Sequence, residues 1–154
     1  MGKQNAQTIE LLNELVVICK DGEKGFREAS EGVQNPFYRM MFSEYSRQRS
    51  KFASDLQGQV VMLGGQPDRQ GTVKGALHRG WMNLKNAIAG HDDDLIVDEC
   101  RRGEDLAIKQ YKDVLKRDLP AKIRSILEHQ MNEIIATQKR VKVMDSKKKL
   151  NAKS

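Results

Sequence analysis

The sequence predicts an all-α domain in which two antiparallel helix hairpins make a four-helix bundle, with a long crossover between the second and third helices that contains a short fifth helix. Three observations carry that expectation. Apolar residues recur at alternating steps of three and four through four long stretches. The three prolines, Pro36, Pro67 and Pro120, all fall where those stretches start or stop. No alternating strand pattern competes with the helical one. At 154 residues the chain is long enough to bury a core, and residues 1–144 are expected to form one domain followed by a basic tail, 145–154.

The first helix is expected from about Asn5 or Thr8 to Glu31. Its inward stripe reads Ile9, Leu12, Val16, Cys19, Glu23, Phe26, Ser30. The glutamate in mid-stripe is the first anomaly. Gly22 and Gly25 flank it, each costing a helix up to ~1 kcal/mol relative to alanine, a cost accepted where backbones approach closely or a site requires it. Asn35-Pro36 opens the second helix, since asparagine caps and proline suits the first turn. That helix runs through Phe37, Met41, Tyr45, Gln48 or Arg49, Phe52, Leu56 and Gln59 to Leu63, and Gly64-Gly65 with Pro67 beyond is its stop signal. The short link between them makes the pair antiparallel.

Gln66 to Gly90 is too long for a hairpin turn. It reads as a crossover whose short helix starts at Thr72 and turns Val73, Leu77, Trp81, Leu84 and Ile88 toward the bundle, so that the helices on either side of it run parallel. The acidic run Asp92-Asp93-Asp94 opens the third long helix, where negative charge meets the positive end of the helix dipole. Its stripe is Ile96, Cys100, Gly103 or Glu104, Ala107, Tyr111 and Val114, closing near Lys116-Arg117. After Leu119-Pro120 the fourth helix turns inward Ile123, Leu127, Gln130, Ile134, Gln138 (with Thr137), Val141 and Met144. Gly22-Glu23 followed by Phe26 and Ala29 is similar to Gly103-Glu104 followed by Ala107 and Tyr111, which makes the two hairpins a near-duplication.

The net charge of +6 is concentrated rather than spread. Lys139, Arg140, Lys142, Lys147, Lys148, Lys149 and Lys153 face a single acid, Asp145, and the remainder of the chain is neutral. The body is therefore not a nucleic-acid-binding surface by composition, and the tail is expected to be a solvated extension that can meet an anionic partner weakly. The longest apolar run, Leu15 to Cys19, falls far short of the ~20 residues of a membrane span. A polar start leading straight into the first helix points to a cytoplasmic protein with no membrane association. Cys19 and Cys100 have no metal or redox spacing, and each lies on an apolar stripe, as buried thiols do.

Hairpin, crossover, hairpin, with an inward glutamate in the first helix of each hairpin, is the ferritin-like plan. The runs Asp21-Gly22-Glu23-Lys24-Gly25-Phe26-Arg27-Glu28-Ala29, Leu63-Gly64-Gly65-Gln66-Pro67, Gly75-Ala76-Leu77-His78-Arg79-Gly80-Trp81 and Glu99-Cys100-Arg101-Arg102-Gly103-Glu104-Asp105 go further. Together they closely resemble an uncharacterised bacterial family of ferritin-like four-helix bundles, a domain of unknown function, over about Ile9 to Val143. The resemblance implies a ferritin-like fold, a bacterial source and a cytosolic location. It supplies no established reaction.

A di-iron centre of that plan needs a glutamate from each of two helices and Glu-x-x-His from each of the other two. The first and third helices offer Glu23 and Glu104. The second reads Arg49-Ser50-Lys51-Phe52 at the corresponding depth, and its nearest alternative, Glu44-Tyr45-Ser46-Arg47, ends in a cation. The fourth offers Gln130-Met131-Asn132-Glu133 or Glu128-His129-Gln130-Met131, neither of which is the motif. Arginine has no lone pair for a metal and carries a charge that opposes one. The expectation is that Arg49, with Gln48 and Gln130, fills the metal position as a Glu23–Arg49–Glu104 cluster; the alternative is that one or both glutamates reach solvent. If a metal binds, the candidate ligands are Glu23, Glu104 and Glu133, with iron the cofactor.

His78, Arg79 and Trp81 form a candidate ligand or partner patch on the crossover, against a plainer reading in which Trp81 anchors it. His91 with Asp92 to Asp94 is a weaker surface metal candidate, His129 is expected to be exposed, and Tyr45 and Tyr111 are expected to point inward. The leading functional expectation is a non-catalytic structural, assembly or stress-associated protein without a cofactor, forming a homo-oligomer. A di-iron-type oxidase or iron-handling protein with atypical ligands is the alternative, and a binder of anionic surfaces or nucleic acid through the tail is the third.

Overall fold

The computed structural model describes the backbone of residues 2–67 and 81–153, and side chains as far as Met144. The described residues are helical throughout, in five packed helices: α1 (Gly2–Gly32), α2 (Pro36–Met62), α3 (Leu84–Ala89), α4 (Asp93–Leu115) and α5 (Ala121–Lys153). Thr72, Val73, Leu77, His78 and Arg79, on which the expected start of the crossover helix and most of its patch rest, lie outside the described residues. α5 carries its helical backbone through the lysine-rich segment to Lys153, where the sequence suggested a separate tail.

Local chemistry sets the ends. The Asn35 side chain accepts from the backbone N–H of Phe37 and Tyr38, and Pro36 takes the first helical position. At the far end of α2, Gly64 adopts φ +85°. The Gly64 N–H reaches Val61 O at 2.9 Å and the Gly65 N–H reaches Val60 O at 2.9 Å, the paired bonds of a Schellman stop that glycine adopts without strain. Asp92 caps α4 through the N–H groups of Asp94 and Leu95. Its neighbour Asp93 accepts from Gln34 N at 2.8 Å and Asn35 N at 3.0 Å, tying the α1–α2 turn to the start of α4. The acidic run that looked like a metal candidate is thus engaged in capping and bracing, and His91 beside it is exposed at φ 53°.

Contacts between named residues fix the directions. Ile9 lies against Gly65 and Ser46 donates to Glu23 O, so α1 and α2 are antiparallel. Cys19 meets Tyr111, while Asp93 meets the end of α1, so α1 and α4 are antiparallel too. Glu104 meets Thr137 and Tyr111 meets Gln130 across α4 and α5. Arg49 meets Thr137 and Phe52 O receives Gln130 across α2 and α5. Four long helices therefore surround one axis with antiparallel neighbours, leaving α2 and α4, the pair joined by the crossover, parallel on a diagonal.

The core along that axis comes in two pieces. One is mainly aliphatic, built around Leu12, Leu15, Val16, Leu56, Val60, Leu127 and Ile134. The other is aromatic, built around Phe26, Phe42, Tyr45 and Trp81 with Ile96, Val97 and Val141. Trp81 is 7 % exposed and meets Phe26 edge-on, with centroids 5.2 Å apart. It fits because two helices lack side chains where it lies. A Cβ on Gly25 would come within 2.6 Å of the ring, and one on Gly103 within 2.3 Å. These glycines explain the helix-weakening residues noted in the sequence, and they place the tryptophan as the anchor of the crossover against α1 and α4.

Candidate functional site: a buried polar layer

Between the two core pieces lies a layer of polar side chains contributed by three of the four long helices, with a glycine of the fourth facing them. Arg49 from α2 and Glu104 from α4 are 1 % and 0 % exposed. Their contact is bidentate across the diagonal, with Nη1 donating to Oε1 at 2.6 Å and Nη2 to Oε2 at 2.8 Å. Nη2 also donates to Thr137 Oγ1 at 3.1 Å, and the Thr137 hydroxyl, close to both Glu104 and Ile134 O, completes the carboxylate's surroundings from α5. Nε donates to Gln48 Oε1 at 3.2 Å, and the guanidinium carbon stands 5.3 Å from the Phe26 ring centroid. The fourth wall is Gly22 of α1, where a Cβ would stand 3.3 Å from both Arg49 Cγ and Nη1. Glycine here leaves the space that a guanidinium fills.

Toward the aliphatic end, a second chain of hydrogen bonds links α1, α4 and α5. Tyr111 donates to Gln130 Oε1 at 2.7 Å, which leaves the Cys19 thiol to donate to Tyr111 Oη at 3.2 Å. Gln130 Nε2 points to Phe52 O at 3.5 Å. Burial pushes the Cys19 thiol up to about 11, with the Tyr111 hydrogen bond and Arg49 pulling the other way. Burial likewise holds the Tyr111 phenol and the Cys100 thiol well above their ordinary values. All three are neutral at physiological pH, and both cysteines are free and buried. Arg49 keeps its proton firmly: burial disfavours its charge, but the attraction and hydrogen bonds of Glu104 more than offset this and raise its pKa.

Glu23 does not join this layer. Its side chain is 23 % exposed and faces Lys20 at 3.8 Å, on the outer flank of α1. The expected Glu23–Arg49–Glu104 triad is therefore corrected to Arg49–Glu104–Thr137 with Gly22 facing it. The inward stripe steps by three from Cys19 to Gly22 and then by four to Phe26, not by four to Glu23. Hydropathy misses this because glycine has no side chain to mark it as inward. The two Gly-Glu pairs are accordingly not equivalent: in α4 the glutamate faces the axis, and in α1 the glycine does. Glu133 is exposed on α5 although it stands within about 60° of Gln130 and Thr137 on the helix, and His129 is exposed as expected.

An iron-centre donor set does not fit this geometry. Among the described residues no three of His, Cys, Asp and Glu are grouped so as to hold a metal ion. Of the three candidate ligands only Glu104 faces the axis, and a cation occupies both its oxygens.

Two acids that sequence reasoning passed over matter locally. Glu99 is 3 % exposed, accepting from Arg102 Nη1 at 2.8 Å and from Asn83 N at 3.2 Å, so it holds the approach to α3 against α4. Asp21 is 9 % exposed, its Oδ2 has no hydrogen-bond partner, and burial raises its pKa to about 6 against a pull from Lys24. It borders a cavity of about 10 Å³ with Gly22, Arg49, Trp81 and Gly103. Asp21 stands one residue from the inward stripe, which gave no sign that it would be covered.

No helix among the described residues is long and apolar enough to cross a membrane. No curated protein matches the chain at a significant level. A family model described as a domain of unknown function matches residues 7–117, running from α1 to just past the end of α4, and includes Gly22, Arg49 and Glu104 of the layer but not Thr137. On that match, covering most of its length, the chain belongs to the DUF2383 family.

Proposed function

We propose that the chain is a bacterial, cytoplasmic ferritin-like four-helix bundle that serves as a non-catalytic structural or assembly protein, possessing an ion pair where related bundles would hold metal. The observation that carries the reading is the bidentate Arg49–Glu104 contact at full burial, closed by Thr137 and backed by Gly22. A guanidinium there pairs with both carboxylate oxygens, has no lone pair of its own to offer an ion, and opposes one by its charge. The parallel α2–α4 diagonal, with antiparallel neighbours, supports the ferritin-like order. Homo-oligomer formation and a stress-associated role belong to the same reading, as does weak attraction of an anionic partner to the lysine-rich end of α5.

Iron handling with atypical ligands is the competing function. Metal content and oligomeric mass measured on one untagged sample separate the two, together with oxygen consumption on adding ferrous iron. The proposal expects less than a tenth of an equivalent of iron per chain, no iron-dependent oxygen uptake, and a mass above that of the monomer. Two equivalents of iron bound inside the bundle would sink it.

A further inference from the structure

A groove of about 770 Å³ lies between the first half of α2 and the last described side chains of α5. Its walls are Phe37, Met40 and Met41 from one helix and Val143 and Met144 from the other. Phe37 and Met40 are each 57 % exposed and Val143 is 54 % exposed, so three of the seven exposed large apolar side chains among the described residues meet in this one groove. Methionine walls adapt to flexible apolar ligands. The volume lies within the usual range for small-molecule sites.

The polar end of the groove is what gives it a specific character. Tyr45 lines it at 3 % exposure, and its buried hydroxyl, which Arg140 approaches as a donor, has no acceptor for its own proton. A buried hydroxyl left this way is destabilising unless something supplies an acceptor. Beside it stands Arg140, an exposed guanidinium that forms no ion pair among the described residues and pulls the Tyr45 phenol down against the rise caused by burial. Glu44 lines the same lip. The helix bearing Arg140 is also the one that carries the chain's excess positive charge.

From this juxtaposition we infer that the groove is a binding site for a single-chain amphiphile with an anionic head, a long-chain carboxylate. The alkyl chain lies along the Phe37–Met40–Met41 and Val143–Met144 walls. The carboxylate accepts from the Arg140 guanidinium, which supplies the charge-assisted part of the recognition, and from Tyr45 Oη once the exposed Arg140 side chain swings off that hydroxyl. Glu44 opposes the head and turns out to solvent when it arrives. The occupant is a free amphiphile rather than a membrane because the donor is a buried phenol at the foot of a groove, which a headgroup layer cannot reach. None of this depends on whether the bundle is ferritin-like.

The test is calorimetric titration of the full chain with sodium dodecanoate below its micelle concentration, beside dodecanol and dodecyltrimethylammonium. One dodecanoate per chain is expected at about 10–100 μM, with the alcohol and the cation at least tenfold weaker. Val143→Asp and Arg140→Gln change exposed side chains and leave folding intact; each is expected to weaken dodecanoate about tenfold, Arg140→Gln without affecting dodecanol. Tyr45→Phe weakens it several-fold, and Glu44→Gln tightens it. Equal binding of the cationic amphiphile, or unchanged affinity in Val143→Asp, overturns the site. So does binding confined to phosphatidylglycerol vesicles, with no saturable uptake of free dodecanoate.

Discussion

The two pieces of the core are held together by different means. The aliphatic piece is made of branched side chains repeating along four helices, with only Phe52 and Tyr111 as aromatics. Any one of its contacts is small, and their number is what stabilises it. The aromatic piece depends on a few large rings, and one of them, Trp81, comes from outside the four long helices and fits only because Gly25 and Gly103 are bare. The polar layer sits at the boundary, where its fork of hydrogen bonds fixes how the four helices are aligned along the axis. A uniform stripe tolerates sliding by a turn; a bidentate pair at full burial does not.

The largest effect is expected from breaking that boundary. Glu104→Ala strands the Arg49 guanidinium and is expected to cost about 3–5 kcal/mol, read as the urea midpoint at constant slope. The double change Arg49→Met with Glu104→Leu should recover most of that loss. If the double variant is as unstable as the single one, the layer contributes through something other than the pairing of its charges.

A smaller effect distinguishes the aromatic piece. Gly103→Ala adds helix propensity but drives a Cβ to within 2.3 Å of the Trp81 ring, and the net cost is expected to be about 1–3 kcal/mol. Trp81 is the single tryptophan of the chain, so its emission should shift to longer wavelength as the ring is pushed toward water. The same change at Gly58, where a Cβ meets nothing within 4 Å, should instead stabilise by up to ~1 kcal/mol. Equal responses at the two glycines would remove the distinction between a wedge and a spacer.

The smallest effect concerns Asp21, at the edge of the layer. Its folded pKa of about 6 lies above the ordinary aspartate value of 3.8, so the folded state holds the proton more tightly than the unfolded one. Its contribution is most favourable below the unfolded value and is lost as pH rises toward 6. Asp21→Asn removes the charge penalty and is expected to stabilise by about 1 kcal/mol at pH 7, with no gain at pH 3.5, the figure kept low because the carboxyl is partly open to water. A gain of the same size at both pH values would locate the effect in packing instead of charge.

Much of the fold is legible in the chain because its signals are local. Asn35-Pro36, Gly64-Gly65, the aspartates before α4 and Pro120 each act on their own turn of backbone, and the observed ends of the long helices fall within a few residues of them, apart from α1, which starts earlier, and α5, which continues through the lysines. The inward placement of Cys19, Tyr111 and Gln130 follows from periodicity alone. The candidate site is less legible. Arg49 and Glu104 stand out as charges on apolar stripes, whereas Thr137 and Gly22 carry no such mark, and nothing in the sequence told Gly22 apart from Glu23 as the axial residue of α1.

The sequence by itself determined which segments are helical, where the long ones stop, and that charged residues interrupt their apolar stripes, because hydrogen bonding within a turn and side-chain spacing act over a handful of residues. Only the tertiary structure decided what neutralises that charge. One residue of slip on a helix is a rotation of about 100°, enough to exchange a glutamate facing the axis for a glycine that makes room for an arginine. Which of the two faces inward depends on the three other helices against which α1 packs.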